Sequence, residues 1–257
     1  MSLLLTLMGG LGLFLFGMNF MSQGLQKAAG AKLRSVLTAI SKNKYIGVLF
    51  GALFTAIIQS SGATTVMVVT FVNAGLMELT QAVGIIFGAN IGTTITAQLV
   101  SFNLTAVAPV ILFIGVVMFL FMKKPIFKKI GEVVIGFGAL FMGISMMSGS
   151  MQQLNDYPTV IHTLSRLTNP VLAILVGLII TVIVQSSSVT VSILLLMAGQ
   201  GLVTLPVCFY FILGCNIGSC TPAVMAAMDA KKDAKRAALI HVLFNVFGMI
   251  IISIILI

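Results

Sequence analysis

Charge is what this sequence has least of. Only 7% of its 257 residues are charged, where a soluble domain carries about 25%. Most of a solvated surface is therefore missing. That deficit excludes a water-soluble enzyme, a nucleic-acid-binding domain and a disordered chain. The 59% hydrophobic share identifies an integral membrane protein instead. The formal net charge of +9 fits the same class, because Lys and Arg gather on the cytoplasmic loops of membrane proteins.

The few charges are confined to a few places. The basic residues fall at 27–44, at 123–129, at the lone Arg166 and at 231–236, and the acids are Glu78, Glu132, Asp156, Asp229 and Asp233. Long apolar runs are thus almost free of ionisable groups. Cysteine is scarce as well. Cys208, Cys215 and Cys220 lie in apolar sequence without paired-ligand spacing, so they read as small buried hydrophobes and support no disulfide, zinc or haem site. No nucleophile–base pair or acid–base couple lies in the spans, so an enzyme is not expected. A cleaved signal peptide is not expected, because no positive charge precedes the apolar stretch 3–20 and no small-residue cleavage site follows it.

What is present is a repeat. Shifted by 126 residues, Gly51, Thr55, Gln59, Ser60, Ser61 and Thr64 fall on Gly177, Thr181, Gln185, Ser186, Ser187 and Thr190. Gly88, Asn90, Ile91 and Gly92 fall on Gly214, Asn216, Ile217 and Gly218, and Gly17, Ser22 and Gln26 on Gly143, Ser148 and Gln152. Apolar spans share Leu and Ile by chance, whereas shared polar residues inside spans require a common pattern. The halves are 1–122 and 131–257, with a basic cytoplasmic linker at 123–130.

Charge gives the orientation of the halves. The loop after the first span carries five Lys or Arg (Lys27, Lys32, Arg34, Lys42, Lys44), and its counterpart at 153–170 only Arg166. The loop at 101–106 carries none, and its counterpart at 229–236 carries four. The bias reverses between equivalent loops, so the halves are expected to be inverted, with the N-terminus outside and 27–44, 123–130 and 229–236 cytoplasmic.

An inverted repeat needs an odd number of crossings per half, yet 3–26, 46–73, 82–100 and 105–122 are four apolar stretches. Polar Gln59-Ser60-Ser61-Gly62 divides the second into limbs of about 13 residues, or roughly 20 Å of helix, too short for a hydrocarbon core of roughly 30 Å. Residues 46–73 therefore read as a re-entrant hairpin, and 171–199 as its counterpart. The expected fold is an all-α polytopic membrane protein of two inverted repeats, each with three transmembrane helices (one broken) and a re-entrant hairpin. The amphipathic stretch 30–44 is expected to lie along the cytoplasmic interface.

The helix break in each half is expected at Gly88-Ala89-Asn90-Ile91-Gly92-Thr93-Thr94 and at Gly214-Cys215-Asn216-Ile217-Gly218-Ser219-Cys220-Thr221-Pro222. Glycines loosen a helix and Pro222 removes a backbone donor. Freed carbonyls with nearby Asn, Ser and Thr make oxygen cages suited to sodium, and helix N-termini at Ser60-Ser61 and Ser186-Ser187 suit an oxyanion. A lone Ser or Thr, such as Thr55, Thr181 or Ser253, is better read as bonding its own backbone or joining two helices. Met142–Met151 reads as packing, and His241 with Asn245 as a helix–helix contact. With no charged side chain in the spans, an isolated ion would be costly to bury. Anion and cation are expected to enter together, and proton coupling through a buried carboxylate is disfavoured.

Two Gln-Ser-Ser motifs, each followed about thirty residues later by Gly-x-Asn-Ile-Gly-[Thr/Ser], resemble the type II sodium-dependent phosphate cotransporter family. Gln185-Ser186-Ser187-Ser188 and Gly88-Ala89-Asn90-Ile91-Gly92-Thr93 carry the resemblance, which spans both halves. It implies sodium-driven symport of inorganic phosphate by alternating access in the cell membrane, without an organic cofactor. On that reading Gln59, Ser60, Ser61, Gln185, Ser186, Ser187 and Ser188 bind phosphate. Thr64, Asn90, Thr93, Thr94, Thr190, Asn216, Ser219 and Thr221 bind sodium. The resemblance also implies a homodimer, and a PhoU-like regulatory partner known from bacterial members. Gly62 departs from the pattern by standing where Ser188 supplies a third serine. The residues alone equally admit another oxyanion (sulfate, arsenate or a carboxylate) or an anion sensor that transports nothing.

Overall fold

The computed structural model describes residues 2–39, 44–102 and 104–256. Among the described residues the regular structure is helical throughout, with no strand. Five helical stretches are long and apolar enough to cross a membrane: Leu3–Ala28, Leu79–Ser101, Pro125–Leu154, Leu205–Ala227 and Lys232–Ile255. The protein is a multi-pass membrane protein. Every backbone polar group in lipid must be satisfied internally, and helices do this without a partner.

The chain forms two compact units, one comprising residues 1–31, 98–165 and 193–204, the other 32–97, 166–192 and 205–257. In the first unit, α1 (Ser2–Ala39) up to residue 31, α5 (Ala108–Phe121) and α6 (Pro125–Leu154) are the main elements. α1 and α6 cross at glycines. A Cβ on Gly17 would stand 2.4 Å from the Leu140 nitrogen, and one on Gly143 would stand 2.5 Å from the Phe14 nitrogen. These two contacts are related by the 126-residue shift, Gly17 to Gly143 and Phe14 to Leu140. Lys27 on α1 pairs with Glu132 on α6 at 2.7 Å, close to the start of a 30-residue helix that is about 45 Å long.

In the second unit, α2 (Lys44–Ile58) and α3 (Ser61–Asn73) form one hairpin, and α8 (Pro170–Val184) and α9 (Ser187–Gly199) the other, with α9 running on into the first unit. Their limbs are 15, 13, 15 and 13 residues long, as the interrupted apolar stretches predict. The core of this unit is Phe54, Val68, Val69, Ile85 and Ile86 packed against Ala223, Ala234 and Ala237.

Two expectations are corrected. The stretch 88–94 is not broken, because α4 runs without interruption from Leu79 to Ser101. The equivalent stretch is divided into α10 (Leu205–Gly218) and α11 (Thr221–Ala227). The difference is one residue: Pro222 has no N–H and its ring opposes the carbonyl of Gly218, while position 96 is a threonine. Gly88 and Gly214 serve close packing instead of unwinding, since a Cβ would come within 2.0 Å of the Val48 and Ile174 carbonyl oxygens respectively.

α5 has 14 residues, about 21 Å at 1.5 Å per residue, and is shorter than the five spanning stretches. The second correction concerns the interfacial stretch. The backbone of 30–39 continues α1, so it is not a separate helix, and residues 40–43 lie outside the described residues.

Candidate anion and cation site

The hairpin tips are built by a left-handed residue followed by a capping serine. Gln59 and Gln185 have φ of 60° and 55° and are the only positive-φ non-glycine residues among those described. Each ends a helix: the Gln59 amide donates to the Thr55 carbonyl and the Gln185 amide to the Thr181 carbonyl, both at 2.7 Å. Glycine usually fills such a position. A side chain there costs roughly 1–2 kcal/mol, a strain typical of functional sites. We therefore expect Gln185→Gly to raise the melting temperature, checked by thermal scanning. Gly75 and Gly201, both at φ 73°, close the far ends of the hairpins and again stand 126 apart.

The serines divide into two jobs. The Ser60 hydroxyl accepts from the Ala63 amide at 3.1 Å and the Ser186 hydroxyl from the Val189 amide at 3.4 Å, so both cap their helices. The amides of Ser61 and Gly62, and of Ser187 and Ser188, remain as first-turn donors that the helices cannot satisfy. Among the described residues, no hydrogen bond engages the Ser61 or Ser187 hydroxyl. Gln59, Ser60, Ser61, Gly62, Gln185, Ser186, Ser187, Ser188, Ser219 and Pro222 meet around one cleft of about 20 Å³, room for about one water molecule. Every residue assigned to phosphate from the sequence is there, and no charged side chain lines it.

The two halves of the cleft differ. The Thr96 hydroxyl donates to Gln59 Oε1 at 2.8 Å, with both side chains buried, whereas Gln185 is exposed and reaches only the Met225 sulfur at 3.9 Å. Sequence reasoning missed Thr96 because it occupies the position equivalent to Pro222, where no shared residue signals a role. The missing third serine also has a structural reason. A Cβ on Gly62 would lie 3.3 Å from Pro222 Cγ, so a serine there would crowd the proline ring.

The residues assigned to sodium are more scattered. Ser219 lines the cleft. Buried Thr64 and Thr190 donate to the Ser60 and Ser186 carbonyls at 2.9 and 3.0 Å. Asn90, Thr93 and Thr94 donate to carbonyls of their own unbroken helix, at Ile86, Ala89 and Ile91. Asn216 is exposed beside the break, and its carbonyl accepts from the Ser219 hydroxyl at 2.6 Å. Thr221 begins α11. Only the second half combines oxygen side chains with an interrupted helix.

The same family profile matches this chain twice, over residues 13–149 and 142–255, and it is that of the Na+/Pi-cotransporters. The chain belongs to the Na+/Pi-cotransporter family. Among its relatives is YqeW of Bacillus subtilis, 33% identical over 242 residues, covering 93% of this chain and 78% of that protein. The putative inorganic phosphate export protein YjbB of Salmonella typhimurium is 31% identical over 250 residues, 97% of this chain but 46% of that protein. The sodium-dependent phosphate transport protein 2A of the rat is 35% identical over 97 residues, 37% of this chain and 15% of that protein. The chain thus spans less than half the length of these last two relatives. No solved structure matches it.

Proposed function

We propose that this cotransporter-family member carries inorganic phosphate across the membrane together with sodium, by alternating access of two inverted repeats. The observation that carries the reading is the single cleft in which both Gln-Ser-Ser tips meet. Helix N-termini there offer amides, partial positive charge and hydroxyls to a tetrahedral oxyanion. With no Lys or Arg lining the cleft, the anion's charge is balanced by sodium, so neither ion binds well alone. Ser61, Ser187 and Ser188 contact the anion, Gln59 and Gln185 frame it, and Ser60 and Ser186 aim the helices. Sodium is held at the break by Asn216, Ser219 and Thr221 with its released carbonyls, and at the hairpins by Thr64 and Thr190. Asn90, Thr93 and Thr94 contribute by turning their oxygens from their own helix.

Inversion is supported by the reversed loop charges and by recurrence of the tip φ angles and glycine contacts at the 126-residue shift. Such a device runs in either direction as gradients dictate, which accommodates both the sodium-dependent transport and the export relatives. The orientation that follows places the N-terminus outside and the basic segments inside. Competition against labelled phosphate in proteoliposomes tests the substrate. Arsenate, of the same shape and charge, should compete within about tenfold of phosphate, and sulfate far more weakly. Equal competition by sulfate would reject phosphate as the cargo.

A further inference from the structure

His241 is a buried imidazole that the transport cycle proposed above does not use. It is 1% exposed, and neither ring nitrogen has a protein hydrogen-bond partner. Its backbone and neighbours form a bonded cluster at the helix break. The Asn245 amide donates to the His241 carbonyl at 2.9 Å and to the Cys220 sulfur at 3.3 Å. The Cys220 thiol itself donates to the His241 carbonyl at 3.6 Å. Cys220 lies within the interruption between α10 and α11, directly after cleft-lining Ser219.

The register of α12 (Lys232–Ile255) brings the imidazole to a second part of the site. The Lys231 amide donates to Asn73 Oδ1 at 2.8 Å, setting the start of α12 beside the end of α3. Ala234, Ala237 and Ala238 then pack in one cluster with Val68, Val69 and Val72, so the helices run antiparallel. Ten residues along α12 from Lys231 is His241, and ten residues back along α3 from Asn73 is Ala63, each about 15 Å of helix. His241 is therefore level with the first turn of α3, the turn whose amides face the cleft. The cluster is peculiar to this half, since the equivalents of Cys220, His241 and Asn245 are Thr94, Gly115 and Phe119.

Buried polar groups in native proteins are almost always hydrogen-bonded, to protein or to ordered water, and a neutral imidazole carries one donor and one acceptor. We infer that His241 is a positioning residue, tying the Ser219–Pro222 break to the first turn of α3 through water-bridged ring nitrogens. The spacing of Ser219 from the Ser61 and Gly62 donors is thereby held at the value that substrate binding needs. The inference rests on the proposed site, and its test separates the two.

Hydrogen exchange of the purified full chain in lipid nanodiscs reads the tie, and phosphate uptake by proteoliposomes reads its consequence. His241→Leu should speed exchange of the 219–224 amides by about tenfold. It should also raise the KM for phosphate by about fivefold or more with Vmax little changed, and His241→Gln should restore both. Unchanged exchange, or a lowered melting temperature with unchanged KM, would overturn the inference. If the leucine variant does not fold, Asn245→Ala carries the same two readouts. A wild-type protein that moves no phosphate would reject the proposed function, while the exchange measurement would still decide whether His241 holds the break.

Discussion

Gly214→Ala is expected to destabilise the protein by about 3 kcal/mol or more and to cut its folded yield sharply, and Gly88→Ala to do the same. The new methyl at 214 would stand 2.0 Å from the Ile174 carbonyl oxygen and 2.9 Å from the Leu178 nitrogen, and at 88 it would stand 2.0 Å from the Val48 oxygen and 2.7 Å from the Ala52 nitrogen. These are backbone atoms of the hairpin limbs α8 and α2, so no rotamer change relieves the clash. The helices must separate. Ordinary overpacking costs about 1–3 kcal/mol, and a rigid backbone contact belongs at or above the top of that range. The cost is a large share of a typical stability of about 5–15 kcal/mol. Alanine at Gly149 or Gly199 meets nothing within 4 Å and should leave yield unchanged. Monodisperse yield by size-exclusion chromatography in detergent checks both expectations, and a well-folded Gly214→Ala protein would refute the close approach of α8 and α10.

Replacing both Ser61 and Ser187 by alanine should leave the fold intact and nearly eliminate phosphate affinity. Both side chains are more than nine-tenths buried, and both hydroxyls are available to the cleft because the capping work is done by Ser60 and Ser186. A hydrogen bond to a charged group contributes about 1.5–3 kcal/mol, so each single variant should weaken apparent affinity by about tenfold to a hundredfold and the pair by about a hundredfold or more. Ser60→Ala is the informative contrast. Losing a cap costs about 1 kcal/mol of stability, so its main effect should be on melting temperature. Initial-rate uptake across a phosphate series, together with thermal scanning, distinguishes the two patterns. Equal affinity losses for Ser60→Ala and Ser61→Ala would remove the division of labour between the two serines.

The hairpins were legible because their signal is chemical. Ser in an apolar run competes with the helix for nearby backbone groups, and it caps the next helix once the chain turns. The tips accordingly lie where the motif lies, between Ile58 and Ser61 and between Val184 and Ser187. The broken helices were only half legible, because glycine in a membrane span has two meanings. It can loosen a helix, or it can admit a neighbouring backbone, and Gly88, Gly92, Gly214 and Gly218 all do the second. In a low-dielectric environment an unpaired backbone group is costly, so α4 stays intact and only Pro222, with no amide to donate, breaks its counterpart.

Thr96 and the His241–Asn245–Cys220 cluster were legible as residues but not as partners. Their roles arise from contacts 37 and 21–25 positions apart in the chain, which no local pattern encodes. The scarcity of charge retained its meaning throughout. Lys27–Glu132 lies near the basic end of its helices, and the cleft between the tips has no charged side chain.

That absence makes coupling the central claim, and one measurement addresses it most directly. Purified protein in liposomes loaded without sodium is given labelled phosphate, with sodium or with an impermeant-matched potassium salt outside. Concentrative phosphate uptake is expected with the inward sodium gradient, and little more than leak without it. Equal uptake under both conditions would contradict it.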